Sequence, residues 1–144
     1  MTTDLKYLAW TALLTASLWI PYIVCQVMTN GNLRAADYLD PTPRPLPLWG
    51  QRLNRVHQNA VEVFAPFAAL VLVAQITSKA DAMTAFWAAL FFWARLAHAV
   101  VFALGWPFVR TVIFTIGFVA VVGIFWEIVR LKAHSWSSPH APPS

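Results

Sequence analysis

Four long apolar runs dominate this chain of 144 residues, and each is long enough to cross a lipid bilayer as a helix. A crossing takes about 20 apolar residues, because the hydrocarbon layer is about 30 Å thick and a helix rises about 1.5 Å per residue. The runs predict membrane spans over residues 5–28, 53–77, 82–104 and 107–131. Pro21 lies inside the first run, where a proline in a membrane helix predicts a kink rather than an end.

The segments between the runs indicate how the spans are arranged. Residues 29–52 form a long loop, in which prolines at alternate positions from Pro41 to Pro47 oppose a helix. Short polar turns before Ala82 and before Pro107 force the later spans to run antiparallel. Residues 134–144 are rich in Ser and Pro, which predicts a frayed tail. We expect an all-α membrane protein, an antiparallel bundle of four transmembrane helices in a single domain over residues 1–144.

Composition supports this class. Hydrophobic residues make up 59% of the chain and charged residues 11%, whereas soluble domains average about 25% charged residues. The net charge of +4 is scattered among apolar spans and forms no basic surface, so we expect no nucleic-acid partner. The first run carries only Lys6 as an early positive charge and no small-residue cleavage site follows it. We interpret it as a retained span, with a cleaved signal peptide as the alternative.

Two charged residues lie deep inside the predicted spans. Glu62 is nine residues into the second span, and Arg95 is ten residues before the Gly105 turn, which places them at depths of about 13 and 15 Å. An antiparallel bundle brings both depths to the same end. Because an ionised carboxylate is costly to bury without a partner, we expect Arg95 to pair with Glu62. Such a pair can fix helix register, contact a ligand, or do both.

The fourth span opens with Arg110 and Thr111 at the same surface. An arginine beside the free N–H groups of a helix N-terminus favours an anion. We therefore expect one polar pocket open to one aqueous side, lined by Arg55, Asn59, Glu62, Arg95, His98, Arg110 and Thr111. The alternative for Arg110 is an arginine that reaches the lipid head groups, and for His98 a hydrogen-bonded interior histidine. The spacing of His57, Glu62 and His98 fits no standard ligand pattern, so we expect no metal.

Three motifs together resemble the MAPEG family, the membrane-associated proteins in eicosanoid and glutathione metabolism. They are Arg52-x-x-Arg55-x-His57-x-Asn59-x-x-Glu62-x-x-x-Pro66-Phe67, Arg95-x-x-His98 and Pro107-x-x-Arg110-Thr111. The chain resembles a bacterial-type member. This resemblance implies a homotrimer surrounded by membrane lipids, with glutathione as co-substrate between neighbouring subunits and a lipophilic small molecule arriving from the bilayer.

The resemblance also implies a location, a multi-pass protein of a bacterial inner membrane with its pocket facing the cytoplasm. Positive charges flanking the spans favour the opposite orientation, with both termini in the cytoplasm, by four against two. Where glutathione is the ligand, we favour the cytoplasmic pocket.

The resemblance implies a role for each residue of the predicted pocket. Arg110 matches the arginine that stabilises the glutathione thiolate, with Thr111 beside it as the second catalytic residue. Nearby cations lower the pKa of a thiol, which makes it nucleophilic. Binding of glutathione is implied for Arg55, Asn59, Glu62, Arg95 and His98. Among these, Glu62 would receive the amino group, and Arg95 would be either structural or bound to a carboxylate of glutathione.

Three positions depart from the family pattern, and they leave the function open. Gln58 replaces an arginine of several members, and Phe102 and Phe114 stand where many members have tyrosine. The first hypothesis is a glutathione-dependent transferase, peroxidase or isomerase acting on a lipophilic substrate. The second is a non-catalytic lipid-binding membrane protein of the same fold. A transporter is disfavoured, because the intramembrane charges cluster near one surface instead of lining a path across the membrane.

Overall fold

Helices build the protein in the computed structural model, which describes residues 1–32, 34–35, 39 and 44–130. In chain order they are α1 (Thr3–Ser17), α2 (Trp19–Asn30), α3 (Leu48–Ile76), α4 (Ala82–Leu104) and α5 (Pro107–Val129). Four helical stretches are long and apolar enough to cross a membrane, with α1 and α2 together forming the first. The predicted all-α, four-span membrane protein is confirmed. The predicted tail over residues 134–144 lies outside the described residues.

The first span is interrupted at Leu18, between α1 and α2. Pro21 explains the interruption, because its ring has no N–H to donate to the carbonyl of Ser17 and clashes with that carbonyl. The Ser17 hydroxyl donates to the Leu13 carbonyl oxygen at 2.8 Å, within the last turn of α1. The kink expected from the sequence is therefore a local break at Leu18, three residues before the proline.

The second span begins earlier than predicted. Helix α3 starts at Leu48, directly after Pro47, whose backbone is extended with φ −60° and ψ 157°. The predicted loop over 29–52 is therefore too long at its C-terminal end. Residues 48–52 are helical because the last proline of the loop lies at position 47, and polar side chains are compatible with a helix that continues above the membrane. Pro66 leaves α3 uninterrupted.

The ends of α4 have clear local causes. Asp81 caps its N-terminus, since its carboxylate accepts from the backbone N–H groups of Met83 at 2.9 Å and Thr84 at 3.0 Å. The Thr84 hydroxyl accepts from the Asp81 N–H at 2.8 Å, which completes a capping box. At the other end Gly105 is left-handed, with φ 82° and ψ 30°, and Pro107 opens α5.

The core lies where α3, α4 and α5 meet, toward the end of the bundle that carries the N-terminus. The rings of Phe67 and Phe91 stack there with their centroids 4.0 Å apart. The remaining buried core residues are small or aliphatic: Val71, Ala74, Ala88, Ala120, Ile124 and Ile128. Helix α1 packs against α4 and α3, and α2 packs against α3. The opposite end of the bundle, where α3 and α5 begin and α4 ends, carries the predicted pocket residues.

Candidate functional site

Aromatic and cationic side chains alternate where the C-terminal half of α4 faces the N-terminal half of α5. Positions 95, 98 and 102 share one face of α4, and positions 110, 114 and 117 share one face of α5, because offsets of three, four and seven align on a helix. The His98 ring centroid lies 5.5 Å from that of Phe102 and 5.8 Å from that of Phe114. We call this row the cation–aromatic column; it consists of Phe91, Arg95, His98, Phe102, Arg110 and Phe114.

Arg95 occupies the deep end of the column. Its side chain is only 5% exposed, and its guanidinium carbon lies 5.0 Å from the ring centroid of Phe114 and 5.3 Å from that of Phe91. One terminal nitrogen, Nη2, donates to the Phe114 carbonyl oxygen at 3.1 Å. Gly117 makes room for the group, because a Cβ at that position would lie 2.9 Å from Arg95 Cζ. Arg95 is therefore directed toward α5.

The predicted ion pair between Glu62 and Arg95 is wrong for the single chain. No carboxylate of the described residues lies within salt-bridge distance of Arg95. Glu62 is exposed on the outer face of α3. Val63, which follows Glu62 in α3, lines the same cavity as Arg95, but position along the bundle does not determine the direction of a side chain around its helix. Arg95 extends across the backbone of Gly117 instead of toward Glu62.

Arg110 occupies the surface end of the column, in the first turn of α5. Its guanidinium carbon lies 4.6 Å from the centroid of the Phe102 ring, within the range of a cation–π interaction. The side chain is half-buried and forms no hydrogen bond to any described residue. Thr111 is exposed, and its hydroxyl donates to the Pro107 carbonyl oxygen at 3.1 Å. The Phe102 ring thus holds a cation whose N–H groups remain available to a ligand.

His98 lies between the two arginines in the column and is 5% exposed. It forms no hydrogen bond to any residue that the structure describes, and its contacts are with the rings of Phe102 and Phe114. The alternative of a hydrogen-bonded interior histidine is therefore not what the single chain shows. His98 therefore lies close to Arg95 and Arg110, the two arginines of the column that were predicted to line the same pocket.

The predicted site residues of α3, Arg55, Asn59 and Glu62, form a polar stripe on the outer face of the helix together with Gln58. Arg55, Gln58 and Glu62 are exposed, and Asn59 is half-buried. The Asn59 Oδ1 atom is buried without a hydrogen-bond partner among the described residues. Offsets of three and four place these side chains along one side of α3. We call this set (Arg55, Gln58, Asn59 and Glu62) the α3 polar stripe.

Arg55 also lines a cavity that the sequence did not predict. This cavity of about 340 Å³ lies between α2, the end of the long loop and α3. Its lining is mostly polar: Tyr22, Arg44, Pro45, Leu46, Gln51, Asn54, Arg55 and Gln58. The α3 residues in this set lie at positions 51, 54, 55 and 58. Offsets of three, four and seven place polar residues on one face of a helix, and this is the sequence signal for the cavity wall.

Arg52, the first residue of the first motif, packs against the turn between α4 and α5. A Cβ at Gly105 would lie 2.6 Å from Arg52 Nη1, so the guanidinium packs against the turn between α4 and α5. This contact confirms that α3 begins at the same end of the bundle as that turn. The structure thus brings Arg95, His98 and Arg110 into one column and places Arg55, Asn59 and Glu62 on a neighbouring helix at the same end.

The fold and this end of the bundle define a class, a four-span helical membrane protein with clustered polar side chains near one surface. The chain belongs to the MAPEG family, since the model of that family matches residues 7–130. The membership predicted from the three motifs is confirmed. Comparisons with curated proteins and with solved structures gave no match.

Proposed function

We propose that the protein binds glutathione at the end of the bundle where α3 and α5 begin. We further propose that it uses the thiol on a lipophilic substrate, as a transferase, a peroxidase or an isomerase. The observation that carries the proposal is the position of Arg110, whose guanidinium is held over the Phe102 ring with its N–H groups unused by described residues. A cation at a helix N-terminus stabilises a thiolate relative to a thiol. Thr111 supplies a second donor when its hydroxyl turns from the Pro107 carbonyl.

The α3 polar stripe suits the remainder of glutathione, which carries two carboxylates and one amino group. The exposed carboxylate of Glu62 is proposed to bind the amino group, and Arg55 a carboxylate. Asn59 is half-buried, and its unpartnered Oδ1 atom is proposed to accept from glutathione when the side chain turns outward, while His98 borders the thiol end. For Arg95, the interior position supports the structural role rather than contact with a glutathione carboxylate.

The stripe also supports a homotrimer with glutathione between subunits. Charged side chains on the outer surface of a membrane helix are costly when they face lipid, so such a face is expected against another protein surface. We propose that a neighbouring copy of the chain covers the stripe, and that membrane lipids surround the assembly and deliver the lipophilic substrate. The proposed location is a bacterial inner membrane, with the glutathione end facing the cytoplasm.

The experiment is a titration of the purified protein with glutathione, followed by the ultraviolet absorbance of the thiolate. We expect a saturable thiolate signal in the parent and its loss in Arg110→Ala. Arg130→Ala is the matched control, because Arg130 pairs with Glu127 at the other end of α5 and should leave the signal unchanged. A parent protein without thiolate signal and without saturable binding would contradict the proposal.

A second candidate function is a non-catalytic lipid-binding protein of the same fold. It is favoured by Phe102 and Phe114, which present rings without a hydroxyl to His98 and the arginines, so neither of them can donate a hydrogen bond to a thiolate. The glutathione titration described above distinguishes the two functions. The lipid-binding protein would retain a bound lipophile through purification and show no dependence on glutathione.

A further inference from the structure

A cavity of about 130 Å³ lies between α3 and α5 within a single chain. Val63 and Pro66 line it on α3, and Phe114 and Val121 are the first and last residues that line it on α5. Phe114 follows Arg110 by four residues, which is about 6 Å along the helix axis. The cavity therefore adjoins the cation–aromatic column and lies deeper in the bundle than Arg110. We call it the α3–α5 cavity.

The walls of the α3–α5 cavity are apolar. Arg95 is the one charged residue among the described residues that line it, but its Nε and Nη1 atoms are buried and its Nη2 atom donates to the Phe114 carbonyl oxygen. A buried water needs about two to four polar partners, so water is a poor occupant. An engineered apolar cavity of about 150 Å³ in another protein stays dry and binds benzene or xenon. The α3–α5 cavity is of comparable size and should likewise hold an apolar group.

Three phenylalanines contribute to these walls, Phe91, Phe114 and Phe118. Phe91 is 1% exposed and stacks on Phe67, so its ring is fixed at the buried end of the cavity. Aromatic rings gain from offset-stacked and edge-to-face contacts with one another. The walls therefore favour an aromatic ring over an alkyl chain of similar size.

The cavity extends from the core to the outer surface of the bundle. Phe91 closes its inner end, whereas Phe118 is 60% exposed and Pro66 is exposed as well. Phe118 lies eleven residues after Pro107, the first residue of α5, which is about 17 Å along the helix and within the hydrocarbon layer. A ligand can thus enter from the bilayer. Because lipid tails are as apolar as the walls, the fit of the ligand decides binding, and its hydrophobicity does not.

We propose that the α3–α5 cavity binds one aromatic ring of about the size of benzene, carried by a small lipophilic molecule that enters from the bilayer. In an assignment that rests on the proposed function, this ring is the apolar group of the lipophilic substrate, which is held one turn of α5 from the thiol at Arg110. Two fused rings exceed the space between close-packed walls. Naphthalene should therefore bind less tightly than benzene, although its larger apolar surface makes it the more lipophilic of the two.

The test is fluorine NMR of the full-length protein in detergent, with fluorobenzene or 1-fluoronaphthalene as the probe and without glutathione. Partition into the micelle does not saturate, whereas binding in the cavity does. We expect saturable binding of fluorobenzene to the parent. Binding of 1-fluoronaphthalene should be at least about tenfold weaker, because the cavity has no room for the second ring.

The variants locate the binding site. Val121→Phe should fill the cavity with its own ring and weaken fluorobenzene binding at least about tenfold. Val122→Phe is the matched control, because Val122 is the next residue, is 46% exposed and is not among the lining residues, so this variant should bind like the parent. Should Val121→Phe fail to fold, Val63→Leu narrows the cavity from α3 and should weaken binding about tenfold.

Uptake of fluorobenzene without saturation in the parent overturns the proposal. Tighter binding of 1-fluoronaphthalene overturns it too, as does unchanged binding in Val121→Phe or, where that variant does not fold, in Val63→Leu. Binding of fluorobenzene to a parent that gives no thiolate signal with glutathione supports the ring site and contradicts the proposed function. A thiolate signal without fluorobenzene binding overturns the ring site alone.

Discussion

The contact between Arg95 and Gly117 leads to a prediction about Gly117→Ala. Whether this substitution lowers or raises the stability of the protein should depend on the presence of Arg95. Gly117→Ala adds a Cβ that would lie 2.9 Å from both Cζ and Nε of Arg95. Overpacking of this kind costs about 1–3 kcal/mol, and a strained or lost hydrogen bond from a charged donor to the Phe114 carbonyl adds to that cost. Alanine in a helix gains about 1 kcal/mol over glycine. We expect a net destabilisation of about 2 kcal/mol.

The same substitution in an Arg95→Leu background should act in the opposite direction. Without the guanidinium, the space beside position 117 is freer, and the helix propensity of alanine should stabilise the protein by up to about 1 kcal/mol. The coupling free energy between the two sites is then about 3 kcal/mol. The assay is equilibrium unfolding of the four proteins in mixed micelles with increasing denaturing detergent. An equal effect of Gly117→Ala in both backgrounds would refute the assigned contact.

Three further predictions test other parts of the structure. Gly105→Ala should destabilise by about 2 kcal/mol in thermal unfolding, because Gly105 is left-handed and the added Cβ would meet the Arg52 guanidinium; the cost should be smaller in an Arg52→Ala background, and an equal cost in both backgrounds would contradict the contact. Asp81→Ala should lower stability by about 1 kcal/mol through loss of the capping box, whereas Asp81→Asn should retain most of it. Phe102→Leu should raise the Kd for glutathione about 3- to 30-fold by removing the ring beneath Arg110, and unchanged affinity would argue against that support.

The sequence was sufficient to predict the number of spans and most of their boundaries. Residues 82–104 are helical as predicted, because Asp81 and Gly105 mark the two ends with specific local chemistry. The apolar pattern predicts a start of the second span at residue 53, whereas α3 starts at Leu48, because a helix need not begin where apolar residues begin. A helix can begin in the polar region outside the membrane, and the proline at position 47 was the better marker.

The position of the candidate site along the bundle was predictable from the sequence. The directions in which its side chains extend were less so. Counting residues from the turns correctly placed Arg95, His98 and Arg110 near the same end. The count could not show that Arg95 extends toward Gly117, because that depends on which face of α4 meets which face of α5. Nor could it show that Glu62 faces outward. The seven-residue spacing of Arg110 and Gly117 on one face of α5 was the available signal for a small residue opposite a large one.

The central claim, a glutathione thiolate bound at Arg110, is tested most directly by an experimental structure of the full-length protein with glutathione. We expect the sulfur within about 3.5 Å of an Arg110 guanidinium nitrogen, with the rest of the tripeptide on the α3 polar stripe and a neighbouring copy of the chain against it. Glutathione bound away from Arg110, or a lipophile occupying the Arg110 end while glutathione does not bind, would contradict it.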